Sequence, residues 1–254
     1  MLWSASSVKG YAIEASDGQL GTVRDVLFDD QTWKTRWLVV HTGLWLLGRD
    51  VLLPLSALGT PDQTLRQFPV QLTRQQVKDS PNVDLDLPVS RQIEASVYGY
   101  YNWNPYWGSM LSPIGTAVGA PVFMSESNRD AKVLEPSDHE AKHGDQDPSL
   151  RSAAAVIGYH IEATDGAVGH AEDFLVDGTD GQVRYLIVDT KNWLPGKRVV
   201  ISPQLIREID WTTRAIYLNV KADMLKSSPA YDPVEIGSET FNDHFHQYFF
   251  GSDS

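Results

Sequence analysis

Short apolar runs, broken at close intervals by turn residues, fill the first 85 positions of the chain. Tyr11–Ala15 predicts a strand, and Ser16-Asp17-Gly18 supplies the positive-φ chemistry of a tight hairpin. Gly21–Phe28 is the returning strand, and Asp29–Lys34 makes a second turn. Trp37–His41 is nearly continuous in apolar residues, which predicts a strand buried on both faces. A third hairpin tip at Trp45–Arg49 leads to Val51–Leu53, and a last strand falls around Phe68–Leu72. Thr73 is suited to cap a short helix over Gln75–Asp79, which Ser80-Pro81 stops. Five or six short strands in so few residues predict a mainly β unit, a small barrel or tightly folded sheet.

The pattern occurs twice. Sliding the chain by 148 positions aligns residues 10–84 with 158–232 without a gap and gives 26 identities. Gly10-Tyr11, Ile13-Glu14-Ala15, Asp17-Gly18 and Gly21 meet Gly158-Tyr159, Ile161-Glu162-Ala163, Asp165-Gly166 and Gly169. Asp25, Asp29 and Arg36 meet Asp173, Asp177 and Arg184, and Trp45-Leu46 meets Trp193-Leu194. A period this long marks a duplicated domain rather than a solenoid repeat. The expected organisation is a first copy over 1–105, an acidic linker over 106–150 and a second copy over 151–254.

The ordered series Gly10-Tyr11…Glu14-x-x-Asp17-Gly18-x-x-Gly21-x-Val23-x-Asp25-x-x-Phe28-Asp29, followed by Arg36-Trp37-Leu38-Val39-Val40 and Val51-Leu52-Leu53-Pro54, resembles the PRC-barrel family. The second copy repeats it from Gly158, with Pro203 one position late. The resemblance implies two small six-stranded barrels. Members of that family include the cytoplasmic part of the photosynthetic reaction-centre H subunit and the C-terminal domain of a ribosome-maturation factor, which act by docking rather than by catalysis.

Charge narrows the function classes. The formal net charge is -12, opposite in sign to what neutralising phosphates requires, so nucleic acid is not an expected partner. There is no cysteine, hence no disulfide, thiolate nucleophile or Cys-based zinc site. The first ten residues lack the pattern of a secretory signal, and no apolar run approaches membrane-spanning length. A cytoplasmic location is the expectation, with a peripheral place on a membrane complex left open.

Two aromatic segments stand outside the 10–84 repeat: Tyr98, Tyr100, Tyr101, Trp103, Tyr106 and Trp107 after the first copy, and Phe241, Phe245 and Tyr248 in the tail. Each copy is expected to end in an aromatic arm after its short helix. The rings either pack on a barrel or form a docking surface, and exchange of arms between copies or chains is a natural arrangement.

The recurring Asp17, Gly18, Gly21, Asp29 and Arg36, with Asp165, Gly166, Gly169, Asp177 and Arg184, read as structural turn and hairpin residues. Asp25 and Asp173 read the same way, and Asp29–Arg36 reads as an ion pair. His139 with His143, and His244 with His246 on one strand face, fall short of the ligands a metal site needs. No nucleophile elbow, phosphate loop or dinucleotide fingerprint is present.

No catalytic, cofactor or metal residue is therefore expected. The leading expectation is a non-catalytic adaptor. It would self-associate through its two copies, with a homodimer as one option, and bind a protein partner. An H-subunit-like modulator of electron or proton transfer, or an enzyme acting between the barrels, are the alternatives.

Overall fold

The structure, a computed structural model, describes residues 2–81, 91–105, 150–190 and 197–251, with only the helical backbone of residues 91 and 92. Tyr106, Trp107, His139, His143 and the second copy's Trp193-Leu194 tip lie outside the described residues, as does the linker up to 149.

The first copy contains β1 (Leu2–Ser4), β2 (Ala12–Ala15), β3 (Gly18–Asp29), β4 (Lys34–His41), β5 (Asp50–Pro54), β6 (Gln67–Pro69), α1 (Arg74–Lys78) and α2 (Arg91–Tyr101). The second contains β7 (Leu150–Ser152), α3 (Ala153–Val156), β8 (His160–Ala163), β9 (Gly166–Asp177), β10 (Val183–Asp189), β11 (Arg198–Ile201), β12 (Ile206–Asp210), β13 (Ala215–Leu218), α4 (Ala222–Ser227) and α5 (Glu239–Phe250). The chain is mainly β, in two sheets. One runs β5-β4-β3-β2-β6 and the other β11-β10-β9-β8-β13-β12. In both, the meander is antiparallel and its first strand is joined in parallel by the late strand: β6 on β2, β13 on β8.

Each sheet borrows a strand. β1, first in the chain, pairs antiparallel with β9 of the second copy, Leu2 facing Asp177 and Ser4 facing Leu175. β7, at the start of the second copy, pairs with β3 of the first, Leu150 facing Asp29 and Ser152 facing Leu27. The two registers differ by the same 148 positions, so the duplication extends upstream to Leu2 and Leu150. Leu150, assigned from sequence to the linker, is a buried strand residue.

Asp25 and Asp173 hold these borrowed strands. Asp173 accepts from the backbone N–H of Ser6 (3.0 Å) and from the hydroxyls of Ser4 and Ser6. Asp25 accepts from the Ser152 hydroxyl and the Ala154 N–H (3.2 Å). The expectation that these two aspartates sit in hairpin turns is thereby corrected. They lie mid-strand, where a bulge in β3 and β9 re-aims the side chain.

Alternation along the strands now has a physical cause. Leu38, Val40, Val51 and Leu53 face an inner core, while Trp37, Val39 and Leu52 face outward beneath α2. The inner core runs without a break through both copies. At its centre Trp33 stacks on Phe28 (5.4 Å between ring centroids) and Phe174 leans on both (5.2 and 6.3 Å). Lys34 bridges to Gln182, its own counterpart 148 positions on, which places the local twofold axis between them.

The Asp17-Gly18 turn lies where expected, and Thr73 caps α1 in a reciprocal capping box with Gln76. Gly21 and Gly169 are not turn residues. They sit inside β3 and β9 where another strand passes. A Cβ would stand 2.2 Å from the His41 carbonyl oxygen in one case and 2.0 Å from that of Asp189 in the other. Gly169→Ala is expected to cost about 1–3 kcal/mol of unfolding free energy, as overpacking does. Gly99→Ala, in α2 with nothing within 4 Å, is expected to be neutral or to stabilise by up to about 1 kcal/mol. Chemical denaturation of the two variants checks the contrast.

Candidate functional site

Within the described residues the aromatic segments are largely helical, Tyr98, Tyr100 and Tyr101 lying on α2 with Trp103 just beyond it and Phe241, Phe245 and Tyr248 on α5, and each helix covers the outer face of its own sheet. Ser238 caps α5 through the Phe241 N–H (3.1 Å), and the helical spacing of Phe241 and Phe245 brings both rings over Leu175, Tyr185, Ile187 and Val200. In the first copy Val97 and Tyr98 of α2 cover Leu27, Trp37, Val39 and Leu52. His244 and His246 therefore lie on a helix, where a spacing of two puts them on different faces instead of the single strand face expected.

The helices dock in matching registers. Tyr100 donates to the Gln76 carbonyl at 2.9 Å and Tyr248 to that of Met224 at 2.8 Å, both pairs 148 positions apart. Beneath them the copies differ. The Trp37 indole N–H donates to Glu94, which is wholly buried, whereas Tyr185 donates to Asn242 at 2.8 Å. Glu94 thus corresponds to Asn242. Burial first, then the Glu94 charge, push the Tyr98 phenol up to about 12, against a smaller pull from Arg36.

Of the sequence-derived aromatic candidates, Tyr98, Phe241 and Phe245 are buried. Tyr101, Trp103 and Tyr248 are half-buried, with Tyr101 and Trp103 stacked at 4.2 Å. Tyr100 is 41% exposed.

The hairpin residues serve as ties. Asp17 accepts from the Arg74 N–H (2.8 Å) and Asp165 from the Ala222 N–H (2.7 Å), fastening the first hairpin to the first turn of α1 and α4. Asp29 pairs with Arg36, both nearly buried, while Asp177 and Arg184 pair at 3.1 Å in a more open setting. Burial alone raises the Asp29 carboxyl. The Thr32 N–H and hydroxyl, with the Arg36 guanidinium, outweigh it and hold the group below the ordinary carboxylate range.

Two clefts line the junction of the copies, and the duplication relates them. One, of about 570 Å³, is polar. Its Asp30 is paired with Arg151 at 2.8 Å, and the Arg151 guanidinium lies 4.1 Å from the Trp211 ring centroid. The other, of about 430 Å³, is lined by Trp3, Leu55, Leu58, Pro61 and Phe68. Among the described residues no group of three or more His, Asp or Glu side chains is placed to hold a metal ion. No helix among them is long and apolar enough to cross a membrane.

The most exposed apolar surface is one that sequence reasoning missed. Between β4 and β5, Gly43–Leu46 forms a turn of 3₁₀ helix, with Leu47 following in the left-handed conformation (φ 55°). Leu44 is 98% exposed and Leu47 97%. The tip is pinned from below. Trp45 donates its indole N–H to the Leu20 carbonyl (2.6 Å), and the Arg74 guanidinium lies 4.6 Å from its ring centroid. Arg49 donates to the carbonyls of Lys78 (3.2 Å) and Pro81 (2.6 Å). A signal was available: in the 148 register Leu44 and Leu47 stand opposite Asn192 and Pro195.

The duplicated meander, its parallel closing strand and the ordered hairpin residues define a class of small β domain present in two copies. The family model described as PRC-barrel domain matches residues 4–66 and again 151–225. The chain belongs to the PRC-barrel family and carries the domain in tandem. No curated protein matches it.

The Asp29 geometry sets an acid limit. A carboxyl held below its unfolded value contributes stability that is complete above about pH 4 and is lost as pH falls through the lower folded value. Asp29→Asn is expected to lower the melting temperature at neutral pH and to shrink its fall between pH 5 and 2, measured by circular dichroism.

Proposed function

We propose that the protein is a non-catalytic adaptor, and that it engages a protein partner through the pinned tip between β4 and β5. The reading is carried by two leucines held almost fully in solvent on a loop that is tied down on both sides. Apolar side chains scattered over a surface need no explanation, but a rigid pair on a protruding tip has the form of an interface anchor. Rigidity matters because little conformational entropy is then lost on docking. The partner surface fitting this tip is an apolar cleft that accepts both leucines. The aromatic helices support the body of the protein in this scheme, contributing at most their rims, such as Tyr100.

Fully burying a leucine is worth about 1.5–3 kcal/mol, so losing both weakens binding by at least about a hundredfold. The test is affinity capture with the full chain and with a Leu44→Ser, Leu47→Ser double variant of unchanged melting temperature. A partner retained by the natural chain and lost by the variant supports the reading. Identical capture by both chains removes the tip from the interface, and turnover of a substrate by the purified chain removes the non-catalytic assignment.

A further inference from the structure

The hairpin of β8 and β9 sets two histidines directly opposite each other. His160 faces His170 in the antiparallel register, and their ring centroids are 4.6 Å apart at an interplanar angle of 50°. Directly opposed residues share a sheet face. Both rings are reachable from solvent, His160 exposed and His170 half-buried. Among the described residues neither ring makes a hydrogen bond, so their nitrogens are not committed to the fold. Asp189, opposite His170 on β10, adds negative charge next to the pair. The first copy has Ala12 and Thr22 at the same two opposed positions. The pair is therefore a feature of one copy and not a demand of the shared architecture.

The spacing lets both rings reach one ion. A metal sits about 2.0–2.1 Å from an imidazole nitrogen, hence about 3.2 Å from the ring centroid. Two centroids 4.6 Å apart then subtend about 90° at a shared ion, the cis angle of square-planar and octahedral geometry. The imidazole χ2 torsion is broad, and the exposed His160 ring is free to turn a nitrogen toward the site. Among the described residues no third side chain is placed to join them, and water completes the coordination shell.

We propose that His160 and His170 form a two-imidazole chelate for a divalent transition ion of tetragonal geometry, copper(II) ahead of nickel(II). The order follows from imidazole donors and the general affinity series of first-row ions.

The full chain is titrated with copper(II) chloride alone and followed by calorimetry and electron paramagnetic resonance. One site is expected whose spectrum carries two equatorial imidazole nitrogens. His160→Ala and His170→Ala are each expected to weaken it at least about tenfold. A His244→Ala, His246→Ala variant is expected to retain it. Equal copper affinity in natural chain, His160→Ala and His170→Ala overturns the proposal, as does a spectrum without the two-nitrogen pattern.

Discussion

The arrangement rests on a reciprocal loan of strands. β1 leaves the first copy to pair with β9, and β7 enters the first sheet to pair with β3. Neither copy has its full complement of strands unless the other is folded beside it. Asp25 and Asp173, each bonded to the incoming segment, make that loan specific in register. The apolar consequence is one core through both copies, with Phe28, Trp33 and Phe174 meeting at the junction. Small domains bury too little surface to be comfortably stable alone, and merging two cores lifts that limit.

Symmetry is kept where it carries the fold and relaxed where it does not. The strand registers, the tyrosine bonds to α1 and α4, and the aspartate ties to those helices recur at the same offset of 148. Differences collect at surfaces, apart from the buried Trp37–Glu94 bond, whose counterpart is Tyr185–Asn242. The clefts are polar on one side and apolar on the other, and in the 148 sequence register the tip's Leu44 and Leu47 align with Asn192 and Pro195. A paired histidine hairpin has its counterpart in Ala12 and Thr22. Duplication with divergence gathered at such places lets one scaffold present distinct faces.

Much of this was legible in the residues. Asp-Gly turns, the Trp37–Val40 run buried on both faces, the Thr73 cap and the Asp29–Arg36 pair follow from local chemistry, and local chemistry is what a single sequence records. The exchange of β1 and β7 was not legible, because a three-residue strand has no periodicity of its own and its partner lies more than 120 positions away. Asp25 and Asp173 were misread for the same reason: their partners are distant serines, and a bulge turns them inward. The aromatic segments were read as arms because their rings are dense enough to obscure the helical spacing of Phe241, Phe245 and Phe249. Gly21 and Gly169 look like turn glycines, and only the passing carbonyl shows why they lack a side chain.

If the copies are one cooperative body, a fault at one borrowed strand must be felt in the other copy. Amide hydrogen exchange by mass spectrometry resolves β3 and β9 peptides separately in the full chain. Asp173→Ala releases β1 from the second sheet, and protection is expected to fall by a similar factor in β9 and in β3. Loss of protection confined to β1 and β9, with β3 exchanging as in the natural chain, would contradict it.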